Sequence, residues 1–149
     1  SFLIMQGLET LALRMQRHCE NALKVAHFLQ AHPQVAWVKY AGLPDHPEHA
    51  LAQQYCSGQP AGILSFGIVG GQPAGARFID ALQLVVRLVN IGDAKSLACH
   101  PASTTHRQLN DEELEKAGVP RDMVRLSIGI EHIDDILADL NQALLAAKA

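Results

Sequence analysis

At 149 residues and 48% hydrophobic composition, the chain has the length of one domain and enough apolar side chain to bury a single core. A net charge of -3, with the Lys and Arg scattered, supplies no basic stripe for phosphates and argues against a nucleic-acid partner. The three cysteines are widely spaced without a CxxC pair, so neither a disulfide framework nor a zinc knuckle is indicated and a reducing cytoplasm is expected. No apolar run approaches the roughly 18 residues of a membrane span, and the first residues lack the charged-then-apolar order of a signal peptide.

The chain begins "SFLIMQGLETLALRM", without an initiator Met and already in a helical pattern, as expected of a piece of something longer. From Leu8, the residues Leu11, Ala12, Met15, Cys19, Ala22, Leu23, Ala26 and Leu29 recur at helical spacing, which predicts one long helix from about Gly7 to Ala31, stopped by Pro33. "VAWVKY" (Val35 to Tyr40) reads as a strand leading into the turn "AGLPDHP", and a short helix is expected around Glu48 to Gln54. "AGILSFGIVGG" alternates Leu64, Phe66 and Ile68 against Ser65 and Gly67, a half-buried strand ended by two glycines. A helix follows, with Pro73 in its first turn and Phe78, Ile79 and Leu82 on its apolar face. "LVVRLVN" reads as a third strand that delivers Asn90 to its end. Beyond a polar loop, "NDEELEKAG" predicts a short capped helix stopped by Gly118. In "MVRLSIG", Val124, Leu126 and Ile128 alternate with Met123, Arg125 and Ser127, which puts Arg125 on the face opposite the aliphatic one. A last amphipathic helix carries Ile133, Ile136, Leu137, Leu140 and Leu144, with Asp134 and Asp135 in the first turn, where the helix dipole favours them. The sum is an α+β domain: about four strands in one sheet, with helices packed on one face.

Chemistry concentrates in "NIGDAKSLACHPASTTH", Asn90 to His106. A metal site could draw on Cys99, His100 and His106, but adjacent residues of a strand point to opposite faces. The pair His46 and His49 in "DHPEH" fits a proline-bearing surface turn better than a ligand pair. A Cys/His nucleophile pair lacks a group to orient the imidazole. A third reading is a carboxylate clamp made by Asn90, the hydroxyls of Ser103, Thr104 and Thr105, and an arginine from a neighbouring strand. Its competitor is that the hydroxyls merely cap the turn after Pro101.

The blocks "GLETLALRMQRHCENA", "AGLPDHPEHALA", "FIDALQLVVRLVNIGDAKSLACHPASTTH" and "VRLSIGIEHIDDILADLNQAL" resemble the carboxy-terminal domain of the Cys/Met-metabolism family of pyridoxal-phosphate enzymes over nearly the whole chain. "NIGDAKSL" is most similar to the O-acetylhomoserine sulfhydrylase branch; the cystathionine and methionine γ-lyases usually carry Ser-Leu-Gly where this chain has Asn90-Ile91-Gly92. The resemblance implies the small carboxy-terminal domain of a fold-type I enzyme, with residues 1–149 binding the substrate's carboxylate. It implies that Arg125 grips the α-carboxylate through a two-pronged salt bridge, that the main chain and side chain of Asn90 assist, and that the Thr105 hydroxyl borders the pocket. His100 and His106 are expected to support the loop. It further implies a parent enzyme in the cytoplasm, a homotetramer of methionine biosynthesis, which takes O-acetyl-L-homoserine and sulfide to L-homocysteine and acetate. The pyridoxal phosphate and its lysine would lie in a larger preceding domain absent from this chain. Lys95 does not match that lysine, and the glycines of "GGQPAGA" read as a strand-ending turn rather than a phosphate cradle. The fragment alone is therefore expected to be inactive, with no catalytic, cofactor-binding or metal-binding residue of its own. The lyase branches remain an alternative function, as does a non-catalytic ligand-binding or interaction module.

Overall fold

The apolar stripe near the N-terminus forms two helices rather than one, α1 (Phe2–Glu9) and α2 (Leu11–Gln30), in the computed structural model, which describes residues 1–148. The helix breaks at Thr10, where ψ is 4°. Arg14 spans the break by donating to the Thr10 hydroxyl at 3.2 Å and to the Gly7 carbonyl at 2.6 Å. The stripe runs straight through this break, so periodicity alone carries no mark of it. α2 buries Ala22, Val25, Ala26 and Leu29, while α1 buries nothing.

The next elements are β1 (Val35–Lys39), α3 (His49–Cys56), β2 (Ile63–Ile68), α4 (Gly71–Ala81), β3 (Val86–Arg87) and β4 (Leu97–Cys99). A single 3-10 turn at Pro101–Ser103 follows, then α5 (Asp111–Lys116), β5 (Met123–Ser127) and α6 (Ile133–Ala146). Asn110 and Glu113 form a reciprocal capping box on α5, which is why so short a helix starts where it does.

The sheet has five strands in the order β1-β2-β5-β4-β3, which corrects the expected four. All pairs are antiparallel except β3 with β4. The strand expected in "LVVRLVN" is present but pairs only through Val86 and Arg87, and the additional strand is Leu97–Cys99, which is buried at every position and so shows no polar alternation.

The core lies on one face of the sheet. Leu64, Phe66 and Ile68 from β2 and Val124, Leu126 and Ile128 from β5 and its continuation pack against α2, α4 and α6. Phe66 meets Phe78 edge-on, with ring centroids 5.6 Å apart. On the opposite face α5 covers one end through a smaller cluster of Ala102, Leu114, Val119 and Met123, flanked by Trp37. There the Trp37 indole lies across Gly67 and donates to Asp122 at 2.9 Å; a Cβ at Gly67 would overlap the indole nitrogen. Among the described residues no further helix covers the rest of that face, where Arg125 stands.

Candidate functional site

Arg125 is the central residue of β5, opposite Ser65 of β2 and Cys99 of β4. Strand alternation turns it away from the aliphatic core, as the sequence pattern requires. It is half-buried, and its Nη2 donates to the Asn90 carbonyl at 3.4 Å across 35 residues of sequence. Among the described residues Arg125 forms no ion pair with a carboxylate, unlike Arg87 with Asp80 and Arg121 with Asp111.

The structure thus brings Asn90 to Arg125 through its main chain. The Asn90 side chain instead turns back on its own backbone, with Oδ1 accepting from the Ile91 N–H at 2.9 Å. Thr105 is exposed, and its hydroxyl pairs with the adjacent His106 Nδ1 at 2.8 Å rather than with Arg125 or Asn90. The Ser103 and Thr104 hydroxyls both donate to the His100 carbonyl, at 3.3 and 2.9 Å. For these two, capping of the turn after Pro101 is the observed role.

His100 is buried, with Nδ1 held by the Ser103 hydroxyl at 2.9 Å and Nε2 by the Arg121 carbonyl at 2.8 Å. With both ring nitrogens occupied, it offers no base to Cys99. Burial pushes the Cys99 thiol up, although the charge of Arg125 and a hydrogen bond from it pull the other way. The thiol therefore stays protonated near neutral pH, opposite to what a nucleophile needs. Among the described residues no group of three or more His, Cys, Asp or Glu is placed to hold a metal.

A cleft of about 490 Å³ opens between α4, the end of β3 and the 101–104 turn. Ile79, Leu88 and Val89 give it apolar walls, and Cys99 links it to the strand position beside Arg125. Sequence reasoning passed over Cys99 as a neighbour of Arg125, because Leu97–Cys99 carries no strand signal of its own. It also passed over Ser96 and Glu131, which fasten the loop behind Asn90.

Lys95, nearest of the lysines to this loop in sequence, is exposed, and its backbone N–H donates to Asp93 at 3.0 Å. Comparison with known proteins then identifies the setting. The profile of the family described as Cys/Met metabolism PLP-dependent enzymes matches residues 1–145. The chain is 53% identical over 144 residues to O-acetyl-L-homoserine sulfhydrylase 1 of Thermus thermophilus, covering 97% of this chain and 34% of that protein. It is 50% identical over 144 residues to the L-methionine gamma-lyase of Pseudomonas deceptionensis, covering 97% of this chain and 36% of the lyase. A solved Campylobacter jejuni structure, named provisionally as an O-acetylhomoserine (thiol)-lyase and holding N'-pyridoxyl-lysine-5'-monophosphate, superposes with a TM-score of 0.90 at 46% identity. That superposition covers 96% of this chain and 34% of the solved one. The chain spans about a third of the length of these relatives, and it belongs to the Cys/Met-metabolism family of PLP-dependent enzymes.

Proposed function

We propose that this chain is the carboxy-terminal, substrate-carboxylate-binding domain of a longer enzyme that exchanges the acetate of O-acetyl-L-homoserine for sulfide, giving L-homocysteine. The observation that carries the reading is Arg125: a half-buried guanidinium at the centre of a sheet, touching a carbonyl and a thiol but, among the described residues, no carboxylate. Removing part of a cation from water without an anionic partner is unfavourable, and an amino-acid carboxylate supplies that partner in fork geometry. The Asn90 carbonyl holds one edge of the guanidinium, which restricts how the carboxylate docks. Thr105 is proposed at the rim, where its hydroxyl can turn from His106 toward a ligand.

The described residues do not fit as the holder of pyridoxal phosphate. Lys95 is exposed on a loop, and the engaged group there is its backbone N–H. The family's cofactor chemistry, an electron sink that labilises the substrate's Cα and Cβ protons, is accordingly proposed to reside in the part of the enzyme outside this chain. Within it, this domain binds and orients the substrate by its carboxylate. The same reading makes the parent a homotetramer of the cytoplasm; among the described residues no helix is long and apolar enough to cross a membrane.

A lyase of the same family is the second reading, favoured by the 50% identity to a methionine gamma-lyase. "NIGDAKSL" supports the sulfhydrylase. The full-length enzyme, assayed with acetylhomoserine plus sulfide, with cystathionine and with methionine, should turn over acetylhomoserine with the highest kcat/KM. A preference for cystathionine or methionine would transfer it to the lyases. The relatives being longer enzymes weighs against a stand-alone binding module, and absence of turnover with all three substrates would restore that option.

A further inference from the structure

Asn90 sits at the head of a loop, residues 90–96, that has little regular structure. The loop is nonetheless tied down at its far end. Ser96 is fully buried; its N–H donates to Glu131 Oε1 at 2.5 Å, and its hydroxyl donates to Glu131 Oε2 at 2.9 Å. The same hydroxyl accepts from the Gly129 N–H at 2.9 Å, while the Ile130 N–H donates to the Ala94 carbonyl at 2.9 Å. Gly129 is required by this close approach, because a Cβ there would overlap both the Ala94 carbonyl and the Glu131 carboxylate. From behind, the Asn21 amide of α2 donates to the Gly129 and Glu131 carbonyls at 3.1 and 3.0 Å. Nearer the site, the Gly92 N–H reaches the Ser127 hydroxyl at 3.4 Å. Among the described residues Glu131 has no cationic partner. Its two recorded carboxylate contacts are neutral donors of one loop residue.

We propose that Glu131 is a positioning residue for substrate binding: through Ser96 it fixes the 90–96 loop, and so sets where the Asn90 carbonyl meets Arg125 and how the guanidinium is aimed. The proposal rests on Arg125 being the carboxylate anchor. It does not depend on the branch of the family, since acetylhomoserine, cystathionine and methionine share the carboxylate. The chemistry of the clamp makes it sensitive to a single atom. Ser96 presents two donors, its N–H and its O–H, to two acceptor oxygens. In Glu131→Gln the amide oxygen can keep the Ser96 N–H only if the NH2 group faces the Ser96 hydroxyl, which must then accept instead of donate, and both contacts lose the carboxylate's charge.

The test uses the full-length holoenzyme. Glu131→Gln should raise KM for the preferred substrate about 10-fold, the scale of one charge-assisted hydrogen bond, with kcat within about twofold of the parent. Hydrogen exchange at the 92–97 amides should quicken alongside it. In an Arg125→Lys background the same substitution should add less than about twofold, because both changes act through one contact. A lower Tm with unchanged KM, or full additivity with Arg125→Lys, overturns the positioning role. If Arg125→Lys itself leaves KM unchanged, the anchor reading fails first and the proposal falls with it. If Arg125→Lys raises KM and Glu131→Gln does not, the positioning role alone is lost. Should Glu131→Gln fail to fold, Ser96→Ala removes two of the clamp's bonds and keeps the backbone one; a KM rise of about threefold supports the proposal and an unchanged KM sinks it.

Discussion

Arg125 stands among neighbours that restrict it without neutralising it: a carbonyl from Asn90 and the protonated thiol of Cys99. Lysine keeps the charge but cannot form the parallel pair of hydrogen bonds that a guanidinium gives a carboxylate. In the full-length enzyme Arg125→Lys should therefore lower kcat/KM, and Arg125→Ala should lower it further, by on the order of 10- to 150-fold if one buried charged hydrogen bond is lost. Melting curves of both variants should stay close to the parent, because the side chain lies off the aliphatic face. Activity within about twofold of the parent in a folded Arg125→Ala enzyme would remove the anchor. Gly67 makes the opposite kind of prediction, one of stability without chemistry. Gly67→Ala pushes a methyl into the Trp37 indole and should cost about 2 kcal/mol, read by urea unfolding. Trp37 is the only tryptophan, so its emission should also report the lost hydrogen bond to Asp122. At this scale Arg125 was legible, because alternation in "MVRLSIG" fixes its face. Of its neighbours, Asn90 was named from the loop cluster and the resemblance, and its main chain does reach Arg125 across 35 residues, whereas Cys99 lies on a strand too short to show a pattern and only sheet pairing joins it to Arg125.

Among the elements, α6 does more than cover the sheet. Its buried Asp139 accepts the N–H groups of Gln83, Leu84 and Val85 at 2.9, 3.0 and 2.9 Å, and so holds the chain as it enters β3. Burial alone would raise this carboxyl's pKa; the three backbone donors and Gln142 outweigh it and leave the pKa below the ordinary 3.8. A carboxyl with a depressed folded pKa stabilises the fold above its unfolded pKa and loses that contribution as pH falls through the folded value. The stability gap between the parent and Asp139→Asn should thus be full at neutral pH and shrink below pH 3.8, followed as the urea midpoint against pH. Asp139→Ala, which strands three donors, should cost on the order of 3 kcal/mol at neutral pH. α2, α4, α6, β1, β2 and β5 were all legible, since each has a sustained period and a stop signal. The break at Thr10 was not, nor was β4, because a strand of three buried residues is decided by what lies beside it rather than by its own side chains; β3 was read, though longer than the two residues that pair.

For the whole molecule, this chain is proposed to handle one end of a substrate and to leave the cofactor to the rest of the enzyme. Mixed with pyridoxal phosphate, it should develop no stable Schiff-base absorbance band; a band that vanished in Lys95→Ala would contradict this. The strand order carries a different consequence. β5 is last in sequence yet third in the sheet, between β2 and β4, so it is the seam that joins β1-β2 to β4-β3. During synthesis from the N-terminus, both halves leave the ribosome before the seam does, each with an open edge awaiting the same strand. A nascent chain interrupted before Met123 would hold two unjoined strand pairs with exposed edges and no Arg125 between them. Early termination should then yield a substrate for chaperones and proteases rather than a weakened domain, and the binding site should appear only when the sheet closes.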